Sequence, residues 1–107
     1  MGKVRRILIV DDSEQDRDLL AEILEDEGYE IVTENDGRDA VERLESAEEK
    51  PDLILMDMSM KEMSGHTAFN IIKSIPTLEN IPFVFVTGRD KTSDLFEGQK
   101  ADDFIIK

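Results

Sequence analysis

Four short, uninterrupted apolar runs restrict the folds open to this chain more than any other feature: Ile7–Val10, Leu53–Met56, Phe83–Val86 and Phe104–Ile106. Runs this short and without polar alternation suit strands buried on both faces, as in parallel sheets covered by helices. A half-polar stretch, "YEIVTEN" (Tyr29–Asn35), reads as a further strand at a sheet edge. Helix-period segments lie between the strands. Leu19, Leu20, Ile23 and Leu24 form one stripe, with Ser13 placed to N-cap it and Gly28 to end it. Ala40, Val41, Leu44 and Ala47 form a second, capped near Asn35 or Asp36. Ala68, Phe69, Ile71, Ile72 and Ile75 form a third, preceded by Ser64 and stopped by Pro76. The segment Arg89–Lys100 carries only Leu95 and Phe96 as large apolar residues and is interrupted by Gly98, so a short or irregular helix is expected. Alternating strands and helices with right-handed crossovers predict an α/β fold: a doubly wound parallel five-stranded sheet with helices on both faces.

At 107 residues the chain is sized for one domain spanning 1–107. It stops on its fifth strand, about one helix short of full cover for such a sheet. The expectation is a C-terminally truncated domain, its open face buried by a homodimer, by an exchanged strand or helix, or by downstream sequence.

The 26 acidic and 13 basic side chains give a net charge of −13. That balance argues against direct nucleic-acid binding, which needs Lys and Arg against phosphates, and against docking on an anionic membrane. No apolar run approaches the ~20 residues of a spanning helix. The basic start (Lys3, Arg5, Arg6) precedes only a short apolar run, too short for a signal peptide, and "MGKVRR" lacks the Ser or Thr of a myristoylation signal. Cysteine is absent, which removes disulfides and thiolate chemistry. A soluble cytoplasmic domain is expected.

The residues that follow the apolar runs carry the chemistry. Asp11 and Asp12 follow the first, Asp57 the second, Thr87 the third and Lys107 the last. In an open parallel sheet the carboxyl ends of the strands form the ligand crevice, deepest where the strand order reverses. Three carboxylates, a hydroxyl and an ammonium are therefore expected around one pocket. Like charges about 4 Å apart repel by roughly 4 kcal/mol at an effective dielectric near 20, so such carboxylates take up protons or hold a cation. Hard oxygen donors without His or Cys favour Mg²⁺, which also accepts a phosphate oxygen as ligand. An ammonium and a hydroxyl suit the oxygens of a phosphoryl group. Singly, each residue has a plainer reading: Asp12 and Ser13 as helix caps, Thr87 as a turn residue, Lys107 as a chain end. Their convergence points to a site. His66 reads as a surface residue, and Met56, Met58, Met60 and Met63 as packing and loop residues. No Gly-rich phosphate loop with Lys is present.

The blocks "ILIVDDSEQDRDLL", "PDLILMDMSMKEMSGHTAFNIIK", "IPFVFVTGRD" and "ADDFIIK", in this order, resemble the receiver domain of two-component response regulators. The resemblance covers essentially the whole chain. It implies a (βα)₅ flavodoxin-like fold with strand order 2-1-3-4-5, here without its last helix. It also implies an aspartate that takes a phosphoryl group from the phosphohistidine of a histidine kinase or phosphotransfer protein. The phosphorylated domain would then switch a surface read by an effector protein or output domain, and later dephosphorylate itself. Such a domain is a phosphoacceptor rather than an enzyme acting on other molecules.

Carried onto these positions, the resemblance makes Asp57 the acceptor. It makes Asp11, Asp12, Asp57 and the backbone carbonyl of Ser59 the Mg²⁺ ligands, Asp12 directly and Asp11 partly through water. Thr87 and Lys107 would meet the phosphoryl group, Phe104 would be the switch aromatic coupled to Thr87, and Ser59 and Arg89 would tune phosphate loss. The chain departs from the family pattern at Lys61, where Pro is usual, at Gly88 in place of Ala, and at Lys100 in place of Gly. The interval from Thr87 to Lys107 is also slightly short. Two rival readings are a receiver-like interaction module that works without phosphate and a Mg²⁺-dependent aspartyl-phosphate phosphatase. The second of these families carries Asp-x-Asp, whereas Asp11 and Asp12 are adjacent.

Overall fold

Three of the apolar runs form the inner strands of a five-stranded sheet, and the fourth, Phe104–Ile106, lies in an edge strand, in a computed structural model that describes residues 4–46, 50–57, 63–87 and 103–106. The elements follow one another as β1 (Arg6–Val10), α1 (Glu14–Asp26), β2 (Glu30–Glu34), α2 (Gly37–Ser46), β3 (Leu53–Asp57), α3 (Gly65–Lys73), β4 (Phe83–Thr87) and β5 (Asp103–Ile106). The strand order is β2-β1-β3-β4-β5 and every pairing is parallel. From β1 the chain winds to one side to make β2, then returns to place β3 on the other side. The order therefore reverses between β1 and β3, as the family resemblance implies.

Successive side chains of a strand point to opposite faces, and each face of this sheet has its own core. On one face Leu8, Val10, Ile54, Met56, Phe83 and Phe85 pack against Ala40, Val41 and Leu44 of α2 and Ala68, Phe69 and Ile72 of α3. On the other, Ile7, Ile9, Leu55 and Val86 meet Leu20, Ala21 and Leu24 of α1. No helix among the described residues is long and apolar enough to cross a membrane. The segment Arg89–Lys100 lies outside the described residues.

The helix ends follow their sequence signals. Ser13 caps α1 by accepting the Asp16 N–H at 3.3 Å, Asp36 accepts the Asp39 N–H at 2.9 Å ahead of α2, and Ser64 accepts the Thr67 N–H at 3.1 Å ahead of α3. Gly28 ends α1 at φ 99°, a left-handed value that strains any residue with a Cβ. The Gly28 N–H then reaches the Glu25 carbonyl at 3.0 Å, and the Tyr29 N–H reaches the Leu24 carbonyl at 3.2 Å.

Two features differ from the sequence reading. The α1 stripe is half as wide as its apolar content suggests: Leu20 and Leu24 face the sheet, while Leu19 and Ile23 are 56% and 50% exposed. Neighbouring residues sit about 100° apart around a helix, so a face centred on Leu24 that takes in Leu20 and Ala21 turns Leu19 and Ile23 away from the sheet. Leu78, in the turn after α3, was not singled out from the sequence, yet it is fully buried. That turn is fastened by Lys73, whose Nζ donates to the carbonyls of Glu79 at 3.0 Å and Ile81 at 2.9 Å. The ammonium also lies 5.8 Å from the ring of Phe69 and 5.9 Å from that of Phe83.

At the end of the sheet opposite the candidate site, Asp52 joins the starts of β1 and β3. Its Oδ2 accepts the backbone N–H groups of Arg6 at 2.9 Å and Arg5 at 3.0 Å, and its own N–H donates to the Arg6 carbonyl at 2.8 Å. The Arg6 N–H, then the Arg5 N–H, hold its carboxyl below the usual aspartate value. A group with a lowered folded-state pKa stabilises the fold above its unfolded pKa, about 3.9 for Asp, and loses that contribution as pH falls through the folded value. The expected result is that Asp52→Asn unfolds more readily than wild type near neutral pH, and that the gap closes below about pH 4. Urea unfolding midpoints of both proteins across that range check it.

Candidate functional site

Asp11 follows the last residue of β1, and Asp57 is the last residue of β3, so the two strands that flank the reversal of strand order each deliver a carboxylate to it. Asp12 is the next residue along the loop into α1. One carboxylate oxygen from each of Asp11, Asp12 and Asp57 lies within 4.8 Å of the others. Asp11 and Asp57 are 1% and 6% exposed, and among the described residues they are the only buried polar or charged side chains. Asp12 is half-buried. Charged groups taken from water in this way need partners or a counter-ion.

The loop that carries the acidic pair is tied down from several directions. The Asp11 N–H donates to the Glu34 carbonyl at 3.2 Å, which anchors the loop to the end of β2. The Asp11 Oδ1 accepts the Ser13 N–H at 2.9 Å, and the Asp11 carbonyl accepts a bond from Arg17 Nη1, also at 2.9 Å. Ser13 thus caps α1 with its hydroxyl while its N–H orients Asp11. The set offers oxygen donors only, with no imidazole or thiolate, which fits Mg²⁺ or a similar hard cation.

The remaining sequence-derived candidates are placed unevenly. Thr87 is the last residue of β4, one beyond Val86, which pairs with Asp57 in the β3–β4 register, so its backbone stands at the same end of the sheet. Phe104 lies in β5 in register with Phe85. Ser59, Arg89 and Lys107 lie outside the described residues, as do Met58, Met60, Lys61, Gly88 and Lys100. His66 is exposed in the first turn of α3, and Met56 is fully buried in the core, as read from the sequence. Arg17 was not singled out from the sequence. A basic residue within an acidic first turn was a visible signal, but its target, a backbone carbonyl of the acidic pair, was not.

Comparison with known proteins agrees with this geometry. The profile of the response regulator receiver domain matches residues 7–107. The CAI-1 autoinducer sensor kinase/phosphatase CqsS of Vibrio cholerae is 40% identical over 106 residues, which is 96% of this chain but only 15% of that protein. The chemotaxis protein CheY of Thermotoga maritima is 38% identical over 110 residues, covering 100% of this chain and 87% of that one. The solved structure of the Thermotoga maritima response regulator TrrA matches with a TM-score of 0.83 at 32% identity, over 96% of this chain and 86% of the other. Agreement over this length, on the same fold, establishes that the chain belongs to the response regulator receiver domain family and has the CheY-like architecture.

Proposed function

We propose that Asp57 accepts a phosphoryl group from the phosphohistidine of a histidine kinase or phosphotransfer protein. The observation that carries this reading is the meeting of three carboxylate oxygens within 4.8 Å at the reversal of strand order, one of them on Asp57. In the transfer, a carboxylate oxygen of Asp57 forms a bond to phosphorus as the phosphorus–nitrogen bond of the donor breaks. The bonding electron pair leaves with the imidazole, and the product is an acyl phosphate. Asp11, Asp12 and Asp57, with the Ser59 carbonyl, would hold Mg²⁺, which when bound supplies positive charge against the acids and the phosphoryl oxygens. The Ser13 N–H and the Asp11 N–H bond to Glu34 hold Asp11 in place for this.

The Thr87 hydroxyl would donate to a phosphoryl oxygen, and the Lys107 ammonium would neutralise charge on it. Drawing Thr87 toward the new acceptor would free space for Phe104 to turn inward, shifting the population of a surface read by an effector or output domain. Ser59 and Arg89 would set how readily water attacks the acyl phosphate and returns the free carboxylate. Two similar proteins support the reading: TrrA was solved in complex with Mg²⁺-BeF, and the cyanobacterial phytochrome response regulator RcpA, at 30% identity and a TM-score of 0.87, in phosphorylated form.

Incubation with Mg²⁺ and acetyl phosphate, followed by intact-mass measurement, tests the proposal. One phosphoryl group per chain is expected, and none when EDTA is present. No gain by folded protein would instead favour a phosphate-independent module, and turnover of unrelated phosphomonoesters would favour a phosphatase.

A further inference from the structure

We infer that Arg17 is a positioning residue for the divalent-cation site, acting on Asp12 through the peptide that joins it to Asp11; the inference rests on the cation-site reading above. Among the bonds that hold Asp11 are its N–H on the Glu34 carbonyl, its Oδ1 on the Ser13 N–H, and its carbonyl on Arg17 Nη1. The first two settle the buried acid. The third acts further along the chain, because a peptide unit is planar and the Asp11 carbonyl belongs to the same plane as the Asp12 nitrogen and Cα. Holding that carbonyl therefore sets where the Asp12 side chain departs from the backbone. Asp12 is the one half-buried member of the triad, so packing constrains it less than Asp11 or Asp57.

Arg17 is itself well placed for this duty. It is half-buried in the first turn of α1, and its backbone N–H donates to the Ser13 carbonyl at 2.9 Å. The guanidinium therefore reaches back from a regular turn that the same loop caps. Its planar fork holds a fixed direction better than a flexible ammonium would.

Charge and position predict opposite outcomes, which makes the role testable. A guanidinium near a divalent ion repels it, so removing a residue that acted only by charge would tighten Mg²⁺ binding. Removing a residue that positions a ligand would weaken binding, and outer supports of metal ligands typically change affinity by about 10–100-fold.

The test is a calorimetric Mg²⁺ titration of wild type, Arg17→Met and Arg17→Lys, with thermal unfolding of each followed in EDTA and in Mg²⁺. Arg17→Met is expected to raise the Mg²⁺ dissociation constant about tenfold. Arg17→Lys should recover part of that loss. The stabilisation brought by Mg²⁺ should shrink in Arg17→Met, beyond any fall in its midpoint in EDTA. Equal or tighter Mg²⁺ binding by folded Arg17→Met would overturn the inference. Should that variant fail to fold, Arg17→Gln is read in the same way. Absence of Mg²⁺ binding by wild type would overturn the cation-site reading itself, and with it this inference.

Discussion

Asp57→Asn is expected to abolish phosphoryl gain from acetyl phosphate in Mg²⁺ and, in EDTA, to unfold at higher denaturant concentration than wild type. The two effects come from the same atoms. Asparagine keeps the shape of the side chain but lacks the anionic oxygen that would attack phosphorus, so the loss should be complete. The gain in stability follows from the crowding of charge. At the 4.8 Å limit that separates the three carboxylate oxygens, each like-charged pair repels by roughly 3 kcal/mol at an effective dielectric near 20. Relaxation and water reduce that figure, and a net gain of about 1 to 2 kcal/mol is the expected scale. In Mg²⁺ the order should narrow or reverse, because ligand binding stabilises the native wild type in proportion to its affinity. Intact mass and urea unfolding in both solutions check the pair of effects. A variant that loses phosphorylation but is less stable than wild type in EDTA would mean that the acids are not in mutual repulsion.

The second large effect lies in the core. Phe83→Ala is expected to cost about 3 to 5 kcal/mol, a large share of the 5–15 kcal/mol typical of a domain. Phe83 is fully buried, and its ring centroid lies 4.9 Å from that of Phe69 and 5.1 Å from that of Phe85, in edge-to-face arrangements. Truncation removes these aromatic contacts and a ring beneath the Lys73 ammonium, leaving a cavity that the flanking strands cannot close. Leu19→Ala on the opposite face gives the contrast. With Leu19 56% exposed, its loss should stay within about 0.5 kcal/mol. Urea unfolding of the two variants should separate them clearly; similar costs would mean that α1 is covered in solution by something that shields Leu19.

The strands were legible because a parallel strand buried on both faces needs uninterrupted apolar residues, and few other structures tolerate a run such as Ile7–Val10. The caps were legible because Ser13, Ser64 and Asp36 do one local task with a short side chain. The half-stripe of α1 was not, since Leu19, Leu20, Ile23 and Leu24 have the same apolar character and only the position of the sheet decides which of them are covered. Leu78 escaped notice because a single apolar residue within "PTLEN" has no period, and Lys73 pins its turn through backbone carbonyls that no side-chain pattern marks. At the site, the three acids could be read as strand-end residues on the sheet's crevice, because topology alone brings them together. Arg17 could not, because its acceptor is a main-chain oxygen of Asp11 and main-chain acceptors occur at every residue.

A single divalent ion shared by Asp11, Asp12 and Asp57 would account for three carboxylate oxygens meeting within 4.8 Å. Calorimetric titration of wild type with Mg²⁺, repeated on Asp11→Asn, Asp12→Asn and Asp57→Asn, tests it most directly. One ion per chain is predicted for wild type, with affinity weakened by each of the three substitutions. Unchanged affinity in all three, or no saturable binding by the folded wild type, would contradict it.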